Sequence, residues 1–197
     1  PSPVRPLEVA PEAFFPYARP PALVDDAIYW VSGNRLMRQA LRGGSPDTLA
    51  EDARNGTRVA AATPMPPKGM PATVAYVAQV GTGDAAHLVA QLWVEGQPTT
   101  MLSPEGTSAS TVALAPSSKG LMALYLEGRS GMSPLHARHI EFDGGGRPRF
   151  SPDVVAWVAG STQPQTELAA LGGSSDTWGL SALDRDATHF GLARIAI

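Results

Sequence analysis

At 197 residues the chain has room for one domain, or two small ones, with a real hydrophobic core. Apolar residues make up 43% and charged residues 17%, which excludes a disordered polymer, and a net charge of -3 without long runs of one sign leaves neither a basic nucleic-acid stripe nor an acidic tail. The absence of cysteine excludes disulfides, thiolate nucleophiles and Cys-ligated zinc, and no apolar run approaches the ~18–20 residues that a membrane span needs.

The first twenty-one residues contain seven prolines, from Pro1 to Pro21, and read as an extended, polyproline-like lead-in. Within it Phe14, Phe15, Pro16 and Tyr17 are too apolar for a free tail. They are expected to pack on the following domain or supply a closing strand; the alternative is a peptide that docks on a partner. The chain opens PSPVRP, without an initiator methionine or a leader pattern, so a processed or trimmed product is expected.

From residue 22 the pattern becomes strand-like. Short runs rich in Val, Ala, Leu, Tyr and Trp alternate with Gly, Pro, Asn and Ser. AIYWV and RLMRQAL precede the turn Gly44-Ser45-Pro46. TVAYVAQV and HLVAQLWV precede Gly96-Gln97-Pro98. LMALYLEG and HARHIEF precede Gly146-Arg147-Pro148. Pro46, Pro98 and Pro148 are thus 52 and 50 residues apart, each behind two strand-like runs. Further apolar runs follow the first two turns, TRVAAAT from Thr57 and STVALA from Ser110. A fourth pair, VVAWVAGS with TELAALGG, arrives sooner than that period predicts. Both faces of HLVAQLWV are apolar: Leu88, Ala90, Leu92 and Val94 share one, and Val89 and Trp93 lie on the other. Such a strand is expected in a sheet covered on both sides. Only PDTLAEDAR suggests a turn or two of helix, and 20 glycines with 19 prolines disfavour more.

A period of about 40–50 residues with some four strands per unit predicts an all-β fold of propeller-like blades, with a β-sandwich as the alternative. The blades would close as a four-bladed ring or form part of a larger one. Because the end of the chain reads as a strand, Ala193–Ile197 is expected to pair with a strand outside it. The domain reading is a Pro-rich segment over 1–21 and one propeller-like domain over 22–197.

The run from Ala27 to Asp52 resembles one blade of the YWTD/TolB-type β-propellers. Tyr29-Trp30 match the opening of that blade, Leu41-Arg42-Gly43-Gly44 its turn, and Leu49 the strand that follows. Val31-Ser32 stand where the motif has Thr-Asp, so its bracing aspartate is missing. The resemblance implies a fold and no activity, since propellers host many unrelated functions.

Candidate chemistry is sparse. His136 and His139 have the spacing H-A-R-H, which on a strand sends them to opposite faces and argues against joint metal ligation. Asp184, Asp186 and His189 form a tighter group, but Arg185 intervenes and no third carboxylate completes a calcium loop. Asp25-Asp26 precede a strand and alternate faces, so they are not expected to share a proton. DGGGRP (143–148) lies between strands and reads as a hairpin turn rather than a phosphate cradle. TPMPPKGMP (63–71) reads as a loop between blades, where Met65 and Met70 offer an adaptable contact surface. There is no Gly-x-Ser-x-Gly, Walker A or strand-to-helix Gly-x-Gly-x-x-Gly motif.

No catalytic, cofactor-binding or metal-binding residue is therefore assigned. The expected function is a non-catalytic scaffold or binding module outside the cytoplasm, periplasmic or secreted. Its partner would be a protein, another ligand or a further chain segment, with no nucleic acid and no membrane span. The alternatives are a hydrolase, or the regulatory propeller of a peptidase-like enzyme, and a structural subunit of a surface assembly.

Overall fold

The computed structural model describes residues 21–64, 70–117, 119–128 and 133–159, and the backbone of three further strands between 167 and 196. The expected all-β class is observed. Among the described residues the only helical piece is a 3-10 turn, Gly83–Ala85. The strands form four antiparallel sheets, none closed on itself.

The first sheet is β1 (Ala22–Val24), β2 (Ala27–Ser32), β3 (Arg35–Ala40) and β4 (Asp47–Ala50), paired in chain order. The second repeats that order with β5 (Ala60–Ala62), β6 (Thr73–Val80), β7 (His87–Val94) and β8 (Thr100–Met101). The third runs β9 (Ala109–Ser117), β10 (Gly120–Glu127), β11 (Ser133–Phe142) and β12 (Pro148–Phe150), and β13 (Val154–Ala159) adds to β11. The fourth is β14 (Glu167–Leu171), β15 (Thr177–Leu183) and β16 (Phe190–Ala196). TVAYVAQV and HLVAQLWV form strands over their whole length, as their composition predicts.

Each Gly-x-Pro turn joins the third strand of its sheet to the fourth. Gly44, Gly96 and Gly146 have φ of 114°, 74° and 75°, a region that L side chains with a Cβ avoid. The following proline lacks an amide hydrogen, so it suits the start of a short edge strand. The spacing noticed in the sequence is thus the spacing of one turn in three successive sheets.

Apolar clusters hold the layers together. Tyr29 and Leu36 of the first sheet pack with Val74, Tyr76 and Val89 of the second. The opposite face of the second sheet, with Val77 and Leu92, packs on Val112, Leu121 and Tyr125 of the third. β7 is therefore divided as its sequence predicts: Ala90, Leu92 and Val94 face one neighbour and Val89 the other. On the far face of the third sheet Met122, Leu124 and Leu135 are buried together. The first strands are neighbours in succession, β1 beside β5, β5 beside β9 and β9 beside β14.

Three expectations are corrected. The helical candidate PDTLAEDAR instead supplies β4 and then an extended stretch, where Ala53 bridges Ala78, Arg54 N–H donates to Val77 and Gln79 N–H donates to Asp52. A nine-residue segment has marginal helix stability alone, and the edges of β3 and β6 offer it main-chain partners. The fourth pair is not a pair, because VVAWVA completes the third sheet as β13 and TELAAL opens the fourth as β14. β12 covers only residues 140–142 of β11, and β13 pairs with its residues 133–137. Without β13 that part of the edge would lack main-chain partners. Finally, the loop around residues 63–71 joins β5 to β6 inside the second sheet rather than linking two sheets. Met70 is half-buried there, while Met65 lies outside the described residues. β16 pairs with β15 and is the terminal strand of its sheet.

Candidate functional site

Two features of the described residues could carry function: a set of cross-strand tyrosines and a cavity beside the first strands. The tyrosines are Tyr29, Tyr76 and Tyr125, each on the second strand of its sheet and each almost wholly buried. Directly opposite on the third strand stand Arg38, Gln91 and His136 respectively. The period-2 geometry of a strand sends tyrosine and partner to the same face, so a buried hydroxyl meets a polar group there.

In the third sheet the arrangement is most elaborate. The Tyr125 hydroxyl donates to Asp153 Oδ1 at 2.6 Å, and His136 Nδ1 lies 2.6 Å from Asp153 Oδ2. An ionised carboxylate only accepts, so this short contact places a proton on Nδ1. The imidazole stacks on the Tyr125 ring with centroids 4.8 Å apart and planes within 8° of parallel. Its Nε2 faces Glu127 Oε2 at 3.4 Å. In the second sheet the Tyr76 hydroxyl lies 2.9 Å from Asp52 Oδ1 and 2.7 Å from Gln91 Oε1. In the first, Arg38 stands opposite Tyr29, and its positive charge works against the effect of burial on the phenol.

Burial raises the titration of all three phenols above the ordinary range. The neighbouring carboxylates Asp52 and Asp153 reinforce the shift for Tyr76 and Tyr125, while Arg38 partly offsets it for Tyr29. A phenol held protonated and aimed at a carboxylate is a poor base or nucleophile at neutral pH. Asp153 and Glu127 lie on opposite sides of the imidazole, so the three donors do not converge on one point. Among the described residues no group of three His, Cys, Asp or Glu side chains is placed to hold a metal ion. The cluster joins β10, β11 and the Asp153 loop.

A second imidazole makes the nearest approach to nucleophilic chemistry. His139 Nε2 is 2.8 Å from Ser117 Oγ, and its Nδ1 is 3.8 Å from Glu141 Oε1. The second distance is too long for a hydrogen bond. Ser117 is only 5% exposed, and its hydroxyl also accepts the Lys119 N–H at 3.3 Å. Gly120 stands opposite Ser117, and a Cβ there would meet the Ile140 carbonyl oxygen. As the odd spacing predicts, His136 and His139 lie in separate surroundings.

The cavity measures ≈ 290 Å³ and is bordered by Pro21 with β1, by Arg58–Ala61 leading into β5, and by Val112–Leu114 of β9. Arg58 is its one charged lining residue among the described residues, and every other lining side chain is apolar. Apart from Arg58, the polar groups there are main-chain amides and carbonyls.

Of the other sequence candidates, Asp25 lies in the β1–β2 turn at φ 51°, where its Oδ2 accepts the Thr63 hydroxyl at 2.6 Å. Asp143 closes the predicted hairpin turn by accepting the amides of Gly145 and Arg147, both at 3.0 Å, and these bonds lower its titration. Asp184, Asp186, His189 and the Phe14–Tyr17 run lie outside the described residues. Sequence reading missed Tyr125, Glu127, Asp153 and Arg58. The signal available was a tyrosine near the middle of each strongest strand, at 29, 76 and 125. No helix among the described residues is long and apolar enough to cross a membrane. No protein-family model, curated protein or solved structure matches the chain.

Proposed function

We propose that the chain is a β-propeller-type module that acts by binding and not by catalysis, outside the cytoplasm. The observation that carries the reading is the succession of the first strands, β1, β5, β9 and β14, each beside the next, with a cavity bordered by three of them. Chain-ordered antiparallel sheets with apolar groups on both faces fit blades stacked around an axis. Carboxylates from connecting segments, Asp52 and Asp153, hold Tyr76 and Tyr125 in the second and third sheets. The location outside the cytoplasm rests on the TolB-type resemblance alone.

The non-catalytic half of the proposal is tested at Ser117. Purified chain and S117A would be assayed against p-nitrophenyl esters and peptide p-nitroanilides. Equal, background-level release from both is the expected result. Turnover by the native chain that disappears in S117A would overturn the proposal and assign Ser117 and His139 to a hydrolase.

A further inference from the structure

The chain holds two asparagines, Asn34 and Asn55, and the fold places them in different surroundings. Asn34 sits in the β2–β3 turn, where its Nδ2 donates to the Glu51 carbonyl oxygen at 2.9 Å. The residue after it, Arg35, begins β3 and pairs with Ser32. Asn55 and Gly56 instead form the exposed tip of a turn in the β4–β5 connector. Thr57 closes that turn on the Arg54 carbonyl oxygen, which accepts its N–H at 3.2 Å and its hydroxyl at 2.6 Å. Neither the Asn55 side chain nor the Gly56 N–H has a hydrogen-bond partner among the described residues. Gly56 has a φ of 74°, and nothing lies within 4 Å of the position a Cβ would take. The main-chain nitrogen of the following residue is the nucleophile nearest to an asparagine amide. Glycine hinders its approach least, having no side chain. Groups already committed to hydrogen bonds must first give them up, which costs free energy. That cost protects Asn34 and is absent at Asn55.

We infer that Asn55-Gly56 is a site of spontaneous covalent modification in the folded chain, with water as the co-reactant. The Gly56 nitrogen bonds to Asn55 Cγ, the side-chain amide nitrogen leaves as ammonia carrying the Gly56 proton, and a cyclic imide remains. Water then opens the ring at either carbonyl. One opening gives aspartate. The other gives isoaspartate, whose main chain runs through the former side chain and is one methylene longer. Ammonia is released, one water is consumed overall, and nothing is oxidised or reduced. Either product adds a negative charge between Arg54 and Arg58. The extra methylene falls between the Ala53–Ala78 bridge and β5, so the turn closed by Thr57 has to absorb it. Asp143-Gly144 could reach the same imide, but Asp143 Oδ1 accepts the amides of Gly145 and Arg147, and an ionised carboxylate resists attack.

The test is timed incubation of the purified whole chain at neutral pH and physiological temperature, followed by digestion and peptide mass spectrometry with electron-transfer fragmentation. The Asn55 peptide is expected to gain, progressively, the mass of an amide-to-carboxyl exchange and to split into aspartate and isoaspartate forms. The Asn34 peptide is expected to keep its mass over the same period. Asn55→Gln, on an exposed turn that the fold does not bury, should abolish the conversion and leave the amide spectrum of the sheets unchanged. Arg35→Gly separates structure from sequence, because it gives Asn34 the same neighbour as Asn55 while its Nδ2 still binds Glu51. Slower conversion of Asn34 than of Asn55 in that variant is the expected result. Equal conversion of the two, or an Asn55 peptide of constant mass in the native chain, would overturn the inference.

Discussion

Tyr125 and His136 lie face to face across β10 and β11, ring centroids 4.8 Å apart, and both hydrogen-bond the same carboxylate, Asp153, at 2.6 Å. One side chain from a connecting segment thereby ties two adjacent strands. Removing the phenol oxygen in Tyr125→Phe keeps the stack and deletes one bond to a charged acceptor. The expected loss is about 1.5–3 kcal/mol of unfolding free energy, read as a lower urea midpoint at unchanged slope. A midpoint equal to that of the native chain would show that Asp153 finds a substitute donor.

The buried phenols make stability fall at alkaline pH. Their folded titration is raised by burial and by Asp52 and Asp153, above the ordinary value of 10.0. A group whose folded value is raised contributes stability that is fully present below its unfolded value and is lost as pH rises. Stability should therefore decline above pH ~10, where unfolded tyrosines ionise and folded ones resist. Tyrosinate absorbance at 295 nm would then appear together with unfolding, and Tyr76→Phe combined with Tyr125→Phe should flatten the decline. Tyrosinate growth for these two residues in the still-folded chain would contradict this account.

Two glycines separate strain from crowding. At Gly120 an added Cβ would lie 2.0 Å from the Ile140 carbonyl oxygen, at a φ of 148°. At Gly96 the space is open and only the φ of 74° opposes a side chain. Gly96→Ala should cost about 1–2 kcal/mol. Gly120→Ala should cost more, because backbone must also shift, and it should displace the His139 resonances. Equal thermal shifts for the two variants would refute the distinction.

Packing between layers is tested at Leu92, which is fully buried between the second and third sheets. Leu92→Ala should lower unfolding free energy by about 2–5 kcal/mol. His87→Ala, at the exposed start of the same strand, should stay within about 0.5 kcal/mol of the native chain. Denaturant melts of both variants check the contrast, and similar losses would show that β7 is not clamped on both faces.

Much of the fold was legible because its signals are local. HLVAQLWV announces a doubly covered strand by carrying apolar groups at both parities, and β7 has that division. Gly-x-Pro announces a turn because glycine admits positive φ and proline withdraws a donor, and all three fall between third and fourth strands. PDTLAEDAR misleads because its local preference is weak, and a neighbouring strand edge outweighs it. VVAWVA misleads because its composition says strand without saying which sheet, and the incomplete edge of β11 decides that.

The amino-acid sequence by itself determined the all-β class, the positions of the principal strands and the recurring turn, since each depends on residues a few positions apart. Only the tertiary structure decided that Tyr125, Glu127, His136 and Asp153 meet, and that Arg58 borders a cavity beside β1 and β9. Those contacts join residues from different strands and sheets. No periodicity encodes them; they exist because pairing register and layer packing bring distant side chains to one place.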